Sequence, residues 1–514
     1  MNIVDVCFHS RSRILPALAL FAMGFPAGVA VAQTPKSPTM TINVNSRLVV
    51  LDIVVTDKAG NVVNGLTQDD FTVLENNVPQ TIHNFEPPVR HFIPQDLTIG
   101  STADLEKKDP DAPINIIVLD EFNTRFTDMD FARYSIKKYI GAQPKKLAQP
   151  TELVAVNTTR FKVLHDYTQD GEALLTSLNK HLSIYPWNLV NNASGQGTLD
   201  RLAVSLGALE QVAEATKGHP GHKNIIWVGH GFPGIDTTTL EPDQTDSLTG
   251  AIQRALDMLR DARITLYTID PTATSTMTVD ITQPDTNQAE DITGQVPFTT
   301  NISFADIAPA TGGKAYAGRN DIDHEIGTSV RDGSNFYSLS YVPTGDSDLA
   351  APFRYISVRL KRPGLLATTR TGYFTQVPDG GVAMPRNQMI FDMVSAAKTT
   401  MNYDGLSVSA VPVDGHPDTY MLNIAQKDLT YKYAGEGSRS AELIVEAVSF
   451  GAKDKYLART MDGVTVKSGN AVADGPEPAR VKVMAKIVPG TVRLRFVVRD
   501  SASGRIGTAD VHLP

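Results

Sequence analysis

Residues 114–124 read INIIVLDEFNT, and this stretch decides the fold. Six mostly aliphatic residues run without alternation into Asp120, as in a strand buried on both faces of a parallel sheet. A carboxylate thus stands where the strand leaves the core. Open α/β sheets hold ligands outside the carboxyl ends of their strands, so Asp120, Asn123 and Thr124 mark a rim to examine. Asp120 equally fits a plainer role, as the cap of the turn or helix that follows.

Working outward, 153–157 (LVAVN), 224–230 (NIIWVGH) and 264–270 (ITLYTID) are further short apolar runs that end in polar or Gly residues. Between them, 131–140, 171–181, 199–213 and 248–262 carry apolar residues at helical spacing. Strands alternating with helices predict an α/β fold with a doubly wound parallel sheet over 112–334.

Three short patterns then fall in order: Asp120-x-x-x-Thr124 at a strand end, Gly197-Thr198 opening a later helix, and His230-Gly231-Phe232-Pro233 after another strand. Together they resemble a von Willebrand factor type A domain. LDEFNT, KNIIWVGHGFP, ITLYTIDP, FADIAPATGGKAYAGRNDID, YSLSYVP, FRYISVRL and TRTGYF are, more narrowly, similar to the VWFA-related proteins of Acidobacteria, over about residues 48–374. The resemblance implies a cation site built from an Asp-x-Ser-x-Ser loop, a Thr from a second loop and an Asp from a third. Hard oxygen ligands of that kind suit Mg²⁺, with a partner's carboxylate at the open position. Carried onto this chain, Asp120, Thr124 and Thr198 match metal positions. Phe122 replaces the first Ser and His230 stands where the third-loop Asp would be, so the implied site is degenerate. Phe cannot ligate a metal, and neutral imidazole suits Zn²⁺ better than Mg²⁺.

Toward the amino terminus, Arg11 and Arg13 precede an apolar segment that closes on Ala30-Val31-Ala32, the pattern of a secretory signal peptide over 1–32. Pro16, Gly24, Pro26 and Gly28 interrupt the run, which argues against an anchor. Removing these 32 of the 514 residues leaves 482, enough for about three domains. One Asp and two Arg go with them, and the net charge moves from −9 to −10. A mildly acidic chain without a basic run is a poor candidate for nucleic acid or anionic lipid. Cys7, the only cysteine, falls inside the signal, so disulfides and thiol chemistry are excluded from the mature chain. No later stretch is apolar for the length of a membrane helix.

The alternation in 40–90 (RLVVLDIVVTD and two runs flanking Glu75-Asn76-Asn77) predicts strands too few to stand alone. The nearest unclaimed strands lie at 335–377, which predicts one β-sandwich made from both sets with the α/β region between them. Two separate satellites are the alternative. A Pro-rich, charged linker occupies 87–112. Residues 385–514 open on a helical run and continue as alternating strands, a second sandwich-like unit. Two long loops, 185–197 with Trp187 and the Thr/Asp/Gln-rich 271–301, leave toward the rim; disorder or partial order is the expectation for 274–296.

Other motifs fail on inspection. GHGFPG contains no nucleophile, TGGKAY lacks the remaining residues of a phosphate loop, and His324-Glu325 lacks a second His. Asp321, Asp323 and Glu325 read as a charged helix start. What remains is an exported, non-catalytic binding, adhesion or assembly module, periplasmic or extracellular. It would engage a protein or an envelope polymer through Asn123, His230 and Trp187 on the rim. The alternative is an envelope hydrolase with Asp120 and His230 as an acid/base pair. Exported protein should begin at or near Gln33; amino-terminal sequencing that returned Met1 would remove the export reading.

Overall fold

A computed structural model describes residues 48–157, 161–183, 195–240, 242–272, 301–344, 353–375, 386–433, 439–468 and 477–513. The signal segment, Trp187 and the expected disorder at 274–296 lie outside these residues.

The INIIVLD run is a strand, Ile114–Asp120, with all seven residues buried. It lies inside a six-stranded sheet ordered Ala315–Tyr316, Ile264–Ile269, Lys223–Val228, Ile114–Asp120, Lys146–Val156, Phe161–Asp170. The first five strands are parallel, while Phe161–Asp170 returns antiparallel on the edge. The expected wholly parallel sheet is therefore corrected to a mixed one. Only residues 157–160 separate the last two strands, and a parallel crossover needs a dozen or more.

Both faces of this sheet are covered. Helices Phe126–Ala142, Gly171–Lys180 and Ile322–Ser334 share one apolar cluster with Ile117, Leu119 and Ile226. Helices Gly195–Ala215, Pro242–Asp261 and Phe304–Ala310 share another with Ile116, Val118 and Trp227 on the opposite face. Period-two alternation of the strand side chains produces the split, since neighbouring residues face opposite ways.

The two ends of the 48–375 region meet. Val49–Asp57 pairs antiparallel with Phe336–Tyr341 and Leu365–Thr368. Phe71–Glu75 pairs with Phe353–Leu360 and with Val78–Gln80. Leu51, Ile53, Phe71, Val73, Tyr337 and Ile356 from both four-stranded sheets fall in one apolar cluster. The predicted partnership between residues 46–86 and 335–374 is thus present as hydrogen-bonded ladders.

Farther on, helix Arg386–Lys398 precedes a three-stranded and a five-stranded sheet that share one cluster. The helix itself packs on the α/β core through Met393, Ala396 and Ala397. Arg495, fully buried, donates to the carbonyls of Ala396 and Met401 and to the Asp510 carboxylate. A guanidinium can be buried there because several acceptors converge on its fork.

One buried carboxylate joins the paired strands to the six-stranded sheet. Asp52, on Val49–Asp57, accepts from Arg263 Nη2 at 2.8 Å and lies 2.7 Å from His222 Nδ1. His222 and Arg263 stand at the amino ends of Lys223–Val228 and Ile264–Ile269, opposite the rim. Burial alone would raise the Asp52 carboxyl, but Arg263 and His222 outweigh it and hold the group well below its ordinary range. A folded pKa below the unfolded one gives stability that is present above about pH 4 and is lost as pH falls through the folded value. Asp52→Asn should cost roughly 3 kcal/mol, since it leaves the Arg263 charge without its partner. Urea unfolding of both forms at pH 7 and pH 3 checks this: the gap between them should narrow at the lower pH.

Candidate functional site

Asp120 ends its strand with no exposed surface, so its carboxylate has to be satisfied from within. Oδ1 accepts from the Asn123 backbone N–H at 2.9 Å. Oδ2 accepts from Gly231 N at 2.9 Å, Asn123 Nδ2 at 3.1 Å and Trp227 Nε1 at 3.2 Å. Burial pushes the carboxyl up from its ordinary value, and these donors pull the other way.

The neighbours of Asp120 are held in turn. Asn123 Nδ2 donates to Ser205 Oγ at 2.9 Å, and Asn123 Oδ1 accepts from Arg201 Nε at 2.9 Å. Arg201 and Ser205 stand one turn apart on helix Gly195–Ala215. Thr124 Oγ1 accepts from His230 N at 3.1 Å, joining the first loop to the GHGFP loop. That loop needs its glycines. Gly231 has φ +62°, and a Cβ there would lie 2.2 Å from the Phe304 ring. Gly229 has φ +151°, and its Cβ would lie 2.4 Å from Asp120 Cβ. Phe304 in turn packs against Trp227 and Phe232 at ring separations of 4.9 and 5.4 Å.

Nearer the surface, His230 Nε2 lies 3.0 Å from Thr272 Oγ1, 3.3 Å from Asp128 Oδ2 and 3.5 Å from Asp270 Oδ1. Arg125 Nε donates to the same Asp128 oxygen at 2.7 Å. A second buried pair, Glu121 and His181 at 2.6 Å, ties the first loop to the end of helix Gly171–Lys180. Arg133 strengthens that tie by donating to Ser183 Oγ and to the carbonyls of Leu178 and His181. Phe126 and Leu182, 48% and 85% exposed, stand at this carboxyl-end face of the sheet.

These positions separate the expected site residues. Asp120, Asn123 and Thr124 come together with the His230 backbone as one brace. Asn123 and Thr124 are 0% and 1% exposed, so they support the rim and do not present themselves to a partner, which corrects the contact role expected of Asn123. Thr198 lies on helix Gly195–Ala215, but its side chain, like Trp187, is outside the described residues. Phe122 is buried, as its chemistry demands. A Mg²⁺ ion does not fit this donor set: N–H groups converge on the carboxylate that would have to ligate it. Among the described residues no group of His, Cys, Asp and Glu is spaced to hold a metal. The acid/base pairing of Asp120 with His230 also lacks its geometry, since the His230 ring faces Thr272, Asp128 and Asp270. Sequence reading missed Arg201, Ser205 and Trp227, and had Gly231 only as part of the His230-Gly231-Phe232-Pro233 pattern. The Arg201–Ser205 spacing placed two polar groups on one helix face, but nothing in the sequence aimed that face at Asn123.

No family model matches the chain, and no curated protein matches its sequence. Solved structures similar to it include an aerotolerance-related membrane protein from Bacteroides fragilis NCTC 9343. That match is 11% identical, covers 43% of this chain and 98% of that one, and has a TM-score of 0.25. Proximal thread matrix protein 1 from the mussel byssus is 12% identical over 46% of this chain, with a TM-score of 0.25; the chain spans about half, 49%, of that protein. The SpRpn10 VWA domain is 15% identical over 31% of this chain and 89% of that one, with a TM-score of 0.17. Scores this low leave the fold to the strand order and helix placement described above. Nothing among them supports the narrower likeness to Acidobacteria.

Asp120→Ala should cost roughly 3 kcal/mol, because it strands the N–H groups of Asn123, Trp227 and Gly231 in the interior. Hydrogen exchange at residues 229–233 should accelerate in step. Exchange rates equal to wild type there would show that the carboxylate is not what holds the loop.

Proposed function

We propose that the chain is an exported, non-catalytic binding module that engages a protein or envelope polymer through the carboxyl-end rim, without a metal ion. One observation carries the reading: the carboxylate that a type A site would offer to a cation is spent on internal N–H donors. A rim fixed in this way is rigid before any partner arrives, which lowers the ordering cost of association. Exposed and partly exposed groups from separate elements then supply the contact. Phe126 and Leu182 offer apolar surface, while Arg125, Asp128, His230 and Asp270 offer charge and hydrogen bonds. The two four-stranded sheets, read as one sandwich, form the mount at the far end of the six-stranded sheet.

The hydrolase alternative finds less support, because a general base needs an accessible lone pair within reach of the proton it takes. Asp120 is buried and saturated.

The test pairs a rim variant with a chelator. Protein carrying Leu182→Glu and Arg125→Glu should lose at least about tenfold in affinity for a partner captured from envelope extract, as two altered contacts imply. EDTA should leave the wild-type affinity unchanged. An affinity that fell with EDTA would restore the metal, and one indifferent to the rim substitutions would move the interface to another face.

A further inference from the structure

At the other end of the six-stranded sheet, a cavity of about 190 Å³ opens between helix Thr102–Lys108, the segment after helix Gly195–Ala215, and residues 401–407. A single water needs roughly 10–15 Å³ by the same kind of measure, so this space is far larger than one hydration site. Its walls combine carboxylates with aliphatic groups. Glu106, Glu152 and Asp404 contribute the acids, and Leu105, Ile114 and Met401 the apolar surface.

Two polar groups in this wall lack partners. Glu152 is 3% exposed and its Oε2 has no hydrogen bond; Tyr167 is 6% exposed and its hydroxyl has none. Tyr167 stands near enough to favour the charged form of Glu152, yet outside hydrogen-bond geometry. Buried groups of this kind are seldom left unsatisfied, because each costs free energy comparable to a lost hydrogen bond.

The cations close by do not fill the need. Lys223 is buried behind the wall; its Nζ donates to the carbonyls of His219, Gly221 and Ala262 at 2.5, 2.9 and 2.7 Å, burial pushes its pKa down to about 7, and it reaches Asp404 through charge alone. His219 Nε2 is committed to the Ala112 carbonyl at 2.7 Å, and burial pushes its pKa down to about 4, so the ring is neutral. Lys427 is exposed. Asp404 Oδ1 accepts from Gly218 N at 2.8 Å. Burial raises the carboxyls of Glu106, Glu152 and Asp404, that of Asp404 to about 7. The wall therefore gathers carboxyl groups beside apolar surface, the carboxyls held toward their neutral form until a cation pairs with them, with the Tyr167 hydroxyl as an unpaired donor.

We propose that this cavity binds a small aliphatic organic cation, its ammonium group held by Glu152 and Asp404 and its methylenes against Leu105, Ile114 and Met401. An ammonium brings three donors to acceptors that lack them, and its alkyl stem matches the rest of the wall. A metal ion is the poorer occupant, since no described group of ligands is spaced for one.

Titration calorimetry of the purified protein with 1,4-diaminobutane tests this, with 1,4-butanediol as the uncharged isostere and MgCl₂ as the inorganic cation. The diamine should bind saturably at one site, and Glu152→Gln should weaken it about tenfold or more, as loss of a charge-assisted hydrogen bond implies. The diol and MgCl₂ should give no saturable heat. Thermal unfolding shows whether Glu152→Gln is folded, and Asp404→Asn, at a half-buried position, serves in its place if it is not. Absence of saturable diamine binding, equal binding of the diol, Glu152-dependent binding of Mg²⁺, or an affinity unchanged in a folded variant would each overturn the proposal.

Discussion

A carboxylate with no exposed surface must find its hydrogen bonds inside the protein, and at Asp120 that requirement shapes a whole face. Asn123 folds back onto it, Gly231 takes a left-handed conformation to aim its N–H, and Trp227 turns its indole nitrogen from within the core. Arg201 and Ser205 then fix Asn123 from a neighbouring helix. The loops after two adjacent parallel strands are thereby locked to each other and to that helix. The same donors take up the lone pairs of Asp120 that any further partner would need.

The opposite end of the sheet also depends on a buried aspartate, but with different electrostatics. Asp52 faces a guanidinium and an imidazole, so charge is balanced by charge across the boundary between two sheets. Arg263 reaches it from φ +53°, the left-handed position after a helix where Gly or Asn is usual. A residue that accepts this conformational cost is being held there by what its side chain touches. Neutral donors around Asp120 order loops within one layer, whereas the ion pair at Asp52 joins layers that the sequence keeps apart.

Much of the fold was legible because its strands are either buried on both faces or cleanly alternating. INIIVLD, NIIWVGH and ITLYTID all became central strands, and four helices appeared where the apolar spacing placed them, three of them longer by several residues and Gly171–Lys180 shorter by one. Phe161–Asp170 was missed because its edge position leaves a mixed burial pattern, with neither a continuous apolar run nor regular alternation. Lys455–Ser468 was missed for a similar reason: it pairs on one side only and carries charged and polar residues along its length. At the rim, Asp120 was readable from its place at the end of an apolar run. Its distant partners were not, because Trp227 and Gly231 lie over 100 residues away in sequence and look like ordinary core and turn residues. The acidic cavity was wholly hidden, since Glu106, Glu152, Tyr167 and Asp404 come from separate segments with no shared motif.

The ladders that join the first strands to the last of the 48–375 region have a consequence for how the chain comes into being. Glu75 and its partner Arg354 are 279 residues apart, so the early strands are made long before the strands that cover them. Until then Val49–Asp57 and Phe71–Glu75 expose unpaired backbone and apolar side chains, the circumstance in which strands join wrong partners. The Ile114–Asp120 sheet has most of its contacts within the intervening stretch and can form while the early strands wait. Distant contacts reward the chain only after the loop between them is ordered, so the outer ladders cost more chain entropy to close than the sheet they enclose. A chain threaded amino end first across a membrane would emerge with its most vulnerable segment leading, and would need that segment shielded until residue 374 follows.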